Sequence, residues 1–228
     1  IMLKLIKANK KNFLENLSNI LQKRKMQNPK IDLRVKKIIQ DVKQNKDMAL
    51  IKYEKKYSKQ KNITLKNIKF TISERNKIIK KLDKQTKTSI DLAFDRIFNF
   101  HKRQKLSSYS FKDKFGNSFT YKSNALNRVG VYVPGGKASY PSSVLMNCIP
   151  ALVAGVKEIY MTTPAMNEFY NPAVIYAAKK CRVKEIYKIG GAQAIAAMTY
   201  GTKTVQKVDK IVGPGNAFVA SAKKQVFG

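Results

Sequence analysis

Histidine and cysteine are nearly missing from this sequence: 228 residues hold one histidine, His101, and two cysteines, Cys148 and Cys181. Two cysteines make neither a disulfide framework nor a metal cluster, and such usage fits a reducing cytoplasm. A lone histidine among Lys and Arg in a helical stretch is expected to be a surface or packing residue rather than a catalyst. Long apolar runs are missing too. The longest, residues 144–156, is interrupted by Asn147 and Pro150 and is too short to cross a bilayer, and the first residues lack the charged, apolar, small order of a signal peptide. The expectation is a soluble, cytoplasmic protein with no membrane partner. No glycine precedes Gly116, and six of the seven prolines lie at or beyond Pro134. The first half, almost free of turn punctuation, is expected to be mostly helix.

Acidic residues are scarce: 14 Asp and Glu stand against 46 Lys and Arg, a formal net charge of +32. Residues 1–131 carry 34 basic and 10 acidic side chains, and residues 132–228 carry 12 and 4. Such a surface attracts polyanions through counterion release. Arginine, however, supplies only seven of the basic residues, and arginine does most bidentate reading of phosphates and base edges. The charge is read as a solvated, compositionally biased surface with no specific nucleic-acid partner.

Apolar periodicity predicts helices over 12–24, 31–42 and 48–57, the last after Asp47 as N-cap, each with one buried face. A short strand edge follows at 68–71, a helix from Ser73, and a long helix over 89–104 with Ile90, Leu92, Ala93, Ile97 and Phe98 on its apolar side. The period then changes. Strands are predicted at 119–121, 128–133, 158–161, 185–189 and 210–212, and helices at 142–156 (capped by Ser142 or Ser143), 172–180, 192–198 and 217–226. Strand and helix alternate over short connections, which implies an α/β fold. From about residue 127 it is a Rossmann-like parallel sheet wrapped by helices, with ligands at the carboxyl ends of its strands.

Three glycine-bearing loops fall at those ends: Val133-Pro134-Gly135-Gly136, Ile189-Gly190-Gly191-Ala192-Gln193, and Val212-Gly213-Pro214-Gly215-Asn216. Glycine lets backbone N–H groups approach a ligand, and a helix starting after such a loop adds its positive dipole end. Together they point to a nucleotide cofactor, although none is the Gly-x-Gly-x-x-Gly fingerprint and each alone reads equally as an ordinary turn. Three polar residues stand beside them. Tyr132 offers a ring and a hydroxyl, and Gln193 and Asn216 bring amides to helix starts, where they can bond ribose or phosphate oxygens. Core packing for Tyr132 and capping for Asn216 are the competing roles. Lys137 adjoins the first loop, but one lysine among so many carries little weight. Cys148 and Cys181 are expected to pack, because a thiolate nucleophile needs a base or cation that neither has in view.

The segments Val131-Tyr132-Val133-Pro134-Gly135-Gly136-Lys137-Ala138, Tyr140-Pro141-Ser142-Ser143-Val144-Leu145-Met146-Asn147, Gly190-Gly191-Ala192-Gln193-Ala194-Ile195-Ala196-Ala197 and Lys207-Val208-Asp209-Lys210-Ile211-Val212-Gly213-Pro214-Gly215-Asn216 resemble the histidinol dehydrogenase family, densely from about Asn127 to Gly228. The resemblance implies an NAD-dependent, zinc-containing homodimer that oxidises L-histidinol through L-histidinal to L-histidine, the last two steps of histidine biosynthesis. It implies that Tyr132, Gln193 and Asn216 contact NAD. It also implies that the family's Ala-Gly-Pro-Ser-Glu segment, its Gln-x-x-His zinc pair, its Glu-His proton-handling pair and its last ligands follow Gly228. No catalytic or metal-ligating residue is therefore expected among residues 1–228, and the chain is expected to be an inactive amino-terminal portion. Its expected organisation is an amino-terminal helical segment (1–27), a helix-rich, incomplete part of a first α/β domain (28–131), and a nearly complete second α/β domain with NAD-binding loops (132–228).

Three other functions compete. A stand-alone, non-catalytic NAD-binding module would be stable and soluble by itself. A basic nucleic-acid-associated protein would bind with steep salt dependence and no NAD affinity. An oxidoreductase resembling aldehyde dehydrogenases would depend on the Cys148 thiolate.

Overall fold

Side chains alternate across the central sheet, and this alternation builds two cores. The structure, a computed structural model, describes residues 8, 12–25, 29–58, 60, 62–136, 140–165 and 169–227. Strands β3 (Arg128–Tyr132), β4 (Glu158–Thr162), β5 (Glu185–Tyr187) and β6 (Lys210–Val212) form a parallel sheet in the order β5-β4-β3-β6. Val129 and Val131 of β3, Ile159 and Met161 of β4 and Ile186 of β5 point to one face. Tyr132, Tyr160 and Tyr187 point to the other. On the first face lie α3 (Ile72–Ile79), α4 (Lys84–Lys102), α5 (Pro141–Ala154) and α6 (Pro172–Lys180). On the second lie α2 (Pro29–Tyr57), α7 (Gly191–Tyr200) and α8 (Ala217–Gln225).

The order of the strands sets where a ligand can enter. The chain runs β3, α5, β4, α6, β5 away from β3, and then α7 carries it back across to β6 on the other side of β3. A crevice opens at the carboxyl ends where such a sheet reverses its order, here between β3 and its neighbours β4 and β6. Close approach of α7 to the sheet depends on Gly130. A Cβ there would lie 2.7 Å from Met198 Sδ and 3.0 Å from a Val208 methyl.

The boundaries of α6 coincide with the sequence reading, and β3 to β6, α7 and α8 lie within a few residues of it. The edge predicted at 68–71 pairs antiparallel with β5 through Lys69 and Tyr187. Helix α3 begins with a capping box, Thr71 and Glu74 bonding each other's backbone N–H. Five local readings need correction. Helix α5 takes Tyr140 as N-cap with Pro141 in its first turn and has no side-chain cap, so neither Ser142 nor Ser143 serves; the fixed φ of proline starts this helix instead. Helix α4 starts at Lys84, capped by Asp83, and its Leu92 is 59% exposed because it lies away from the face carrying Ile90. In α1 (Phe13–Lys25) the expected face is half-buried at Phe13, Leu17 and Ile20 and not fully buried at any described side chain, and Leu14 and Leu21 are exposed. Strand β1 (Tyr109–Lys112), which the sequence reading lacked, pairs with β2 (Ser118–Tyr121) in an exposed hairpin held by stacked Tyr109–Tyr121 and Phe111–Phe119 rings.

The fifth correction concerns Asp47. Its carboxylate is turned to the Thr202 hydroxyl and the Thr204 N–H instead of capping the segment that follows. Lys46 before it breaks α2 with φ 47° and ψ −125°, a region that costs a non-glycine residue about 1–3 kcal/mol. Glycine at 46 relieves that strain at a smaller cost in unfolded-chain entropy. Lys46→Gly is expected to stabilise the fold by about 1 kcal/mol, and a lower thermal midpoint for this variant would show that the kink is not strained.

Candidate functional site

At the carboxyl ends of β3 and β6 a cleft of about 990 Å³ opens, and all three glycine loops line it. The first contributes Pro134 and Gly135, the second Gly191, Ala192 and Gln193, and the third Pro214, Gly215 and Asn216. Tyr132, Gln193 and Asn216, far apart in sequence, meet on this one surface. The amino-terminal ends of α7 and α8 open on it, and so do Tyr140 and Ser143 at the start of α5. Three helix starts around one cleft give it a positive field. Lys137 lies outside the described residues.

Each side chain has a defined state. Tyr132 is 4% exposed at the end of β3, packs in the core, and its hydroxyl accepts the Gly191 N–H at 3.1 Å. Burial pushes its phenol up, with the Gly191 N–H pulling the other way and the Glu54 charge adding to the rise. Tyr132 thus keeps its proton and has it to donate. Asn216 is the N-cap of α8, its Oδ1 accepting from the Phe218 and Val219 N–H groups at 3.1 Å each. Packing for Tyr132 and capping for Asn216 are therefore real roles held together with a place on the cleft.

The backbone donors are distributed less simply than the loop sequences imply. The Gly190 N–H goes to Glu54 and the Gly191 N–H to Tyr132, so neither faces a ligand. The next two in the first turn of α7, on Ala192 and Gln193, bond nothing among the described residues, and both residues line the cleft. They are the donors that a helix start leaves for an anion.

Helix α2 supplies residues that sequence reasoning missed. Arg34 is the one charged side chain among the described residues lining the cleft. Its guanidinium lies 5.2 Å from the Tyr57 ring centre and 5.9 Å from that of Phe218, and it donates to the Tyr57 hydroxyl at 3.3 Å. Tyr57 and Phe218 line the cleft as well. Nothing local in a lysine-rich helix marks Arg34. Only its rarity as arginine could have singled it out.

The remaining candidates lie elsewhere. His101, near the end of α4, bonds Gln104 Oε1 through Nδ1 at 2.7 Å and meets the edge of Phe100; it does not line the cleft. Cys148 and Cys181 are both fully buried in the core beneath α5 and α6. The adjacent Cys181 and then burial push the Cys148 thiol well above its ordinary value, opposite to what a thiolate nucleophile requires. Among the described residues no group of three or more His, Cys, Asp and Glu side chains could hold a metal ion, and no helix is long and apolar enough to cross a membrane.

Known proteins resemble this chain over most of its length. The family model described as histidinol dehydrogenase matches residues 21–228. The chain is 51% identical over 227 residues to a histidinol dehydrogenase of Pelagibacter ubique, covering 100% of this chain and 52% of that protein. It is 46% identical over 203 residues to that of Clostridium acetobutylicum, covering 89% and 46%. The crystal structure of histidinol dehydrogenase from Elizabethkingia anophelis superposes with a TM-score of 0.80 at 38% identity, over 84% of this chain and 44% of that one. The chain spans about half the length of the curated relatives it matches.

Proposed function

The chain belongs to the histidinol dehydrogenase family, and from that premise we propose that it forms the NAD-binding part of an enzyme that oxidises L-histidinol through L-histidinal to L-histidine. The observation that carries this reading is the convergence of three glycine loops, Tyr132, Gln193 and Asn216 on one cleft at the reversal of strand order. The cleft suits a dinucleotide. Its volume of about 990 Å³ lies at the upper end of the range for small-molecule sites. Its described lining holds no carboxylate, and the free Ala192 and Gln193 N–H groups and Arg34 offer partners for a pyrophosphate.

Bound NAD supplies a hydride acceptor. The residues of this chain hold and orient it. The start of α7 takes phosphate oxygens, Arg34 neutralises their charge, the Tyr57 and Phe218 rings give flat apolar surfaces, and Tyr132 donates its hydroxyl proton in a hydrogen bond. We assign zinc and proton transfer to residues beyond this chain, following the family resemblance, and derive no step through them. A cytoplasmic homodimer, and the division into segments 1–27, 28–131 and 132–228, belong to the same proposal.

Calorimetric titration with NAD, followed by mixing with histidinol, tests the reading. Saturable binding of about one NAD per chain without formation of NADH is expected. A chain that takes up no NAD contradicts the cofactor assignment, and one that makes NADH contradicts the placement of the catalytic groups elsewhere.

A further inference from the structure

Glu54 is fully buried on α2, behind the first turn of α7, and no sequence pattern announces it. Its Oε1 accepts from the Gly190 N–H at 2.8 Å and from Gln193 Nε2 at 2.8 Å. Its Oε2 accepts from Gln60 Nε2 at 3.2 Å. Gln60 is fixed in turn, donating to the Lys188 carbonyl at 3.2 Å and accepting from the Tyr170 hydroxyl at 3.3 Å. Burial pushes the Glu54 carboxyl up, with hydrogen bonds from Gly190, Ser58, Gln193 and Gln60 pulling the other way. Oε1 is an acceptor in either protonation state as long as any proton sits on Oε2.

The consequence falls on Gln193. A side-chain amide carries one acceptor oxygen and one NH2 donor, and the partner of one decides which is left for a ligand. Gln193 is 2% exposed, its Nε2 is committed to Glu54, and its Oε1 bonds nothing among the described residues. That oxygen is not among the enclosed unpaired atoms of the described residues, so it is reachable from the cleft that Gln193 lines, and an acceptor open to the cleft is there for a ligand's donor. Phosphate oxygens are acceptors and cannot be its partner.

We propose that Glu54 is a positioning residue of this site: it holds the Gln193 amide with its oxygen toward the cleft, where that oxygen accepts from a ribose hydroxyl of the nucleotide. The inference rests on the NAD reading above. Tyr132 and Gln193 then present opposite polarities, a donor hydroxyl and an acceptor oxygen, each fixed by a contact with the Gly190-Gly191 loop or with Glu54 behind it.

A double-mutant cycle on NAD affinity in the 228-residue chain tests it, using Glu54→Met, Gln193→Met and the double variant. Each single change is expected to weaken NAD binding about tenfold, the scale of one lost hydrogen bond in a desolvated site. The double variant is expected to be no weaker than either single, because Glu54 acts through Gln193. Glu54→Gln, which keeps one acceptor oxygen, is expected to recover all but about threefold of the affinity. Multiplying losses, or NAD binding unchanged in Gln193→Met, overturn the proposal while leaving the NAD site intact. If Glu54→Met does not fold, Gln193→Met and Glu54→Gln still decide it. A parent chain that does not bind NAD overturns the cofactor reading itself.

Discussion

Alanine at Gly213 is expected to destabilise the fold by about 3 kcal/mol or more and to abolish NAD binding. Gly213 has φ +106°, and a Cβ there would lie 2.0 Å from the Tyr132 carbonyl oxygen and 3.0 Å from its carbon. Those are backbone atoms of β3, which pairs with β6 through Val129, Gly130 and Val131, so neither strand can yield without losing the ladder. The loop that must move is the one carrying Pro214, Gly215 and Asn216 to the cleft. Gly116 is the control, with a similar φ of +85° and nothing within 4 Å of its hypothetical Cβ. Alanine there bears only the left-handed backbone penalty of about 1–2 kcal/mol. Urea unfolding of the two variants separates the terms, and equal losses would show that the Tyr132 contact is not what holds Gly213 in place.

Arg34→Ala is expected to weaken NAD binding about tenfold to a hundredfold while leaving the thermal midpoint nearly unchanged, a charge-assisted pair being worth about 1.5–3 kcal/mol. Arg34 is exposed, and its protein contacts are two aromatic rings and one hydroxyl, so the fold loses little with it. Arg34→Lys keeps the charge without the planar fork and is expected to fall between the two. Raising salt is expected to weaken the parent more than Arg34→Ala, because screening acts on the charge that the variant lacks. Identical affinities in titrations of all three would remove Arg34 from the site.

Periodicity carried the second half of the fold into view because β3, β4 and β5 are largely buried on both faces and the helices between them are short and well punctuated. The glycine loops located the cleft for the same reason: glycine and proline mark where the backbone turns at a strand end. Glu54 and Arg34 were not legible. Both sit on α2, more than a hundred residues from the loops they meet, in helical stretches where a charged residue at this spacing reads as solvated surface. Their place depends on how α2 packs against α7 and α8, which no local pattern encodes. The Ser142 and Ser143 caps failed because Pro141 starts α5 by fixed backbone geometry. In α1 periodicity correctly predicted a helix, but its apolar face is only half-buried, at Phe13, Leu17 and Ile20.

Hydrogen–deuterium exchange of the chain with and without NAD tests the assignment of this cleft most directly. Protection by NAD is expected at the start of α7, on Ala192 and Gln193 above all, with smaller changes in the segments around Gly135 and around Asn216. Protection confined to other segments, such as the separate depression lined by Asn62, Lys77 and Lys188, or no protection at saturating NAD, would contradict the assignment of this cleft.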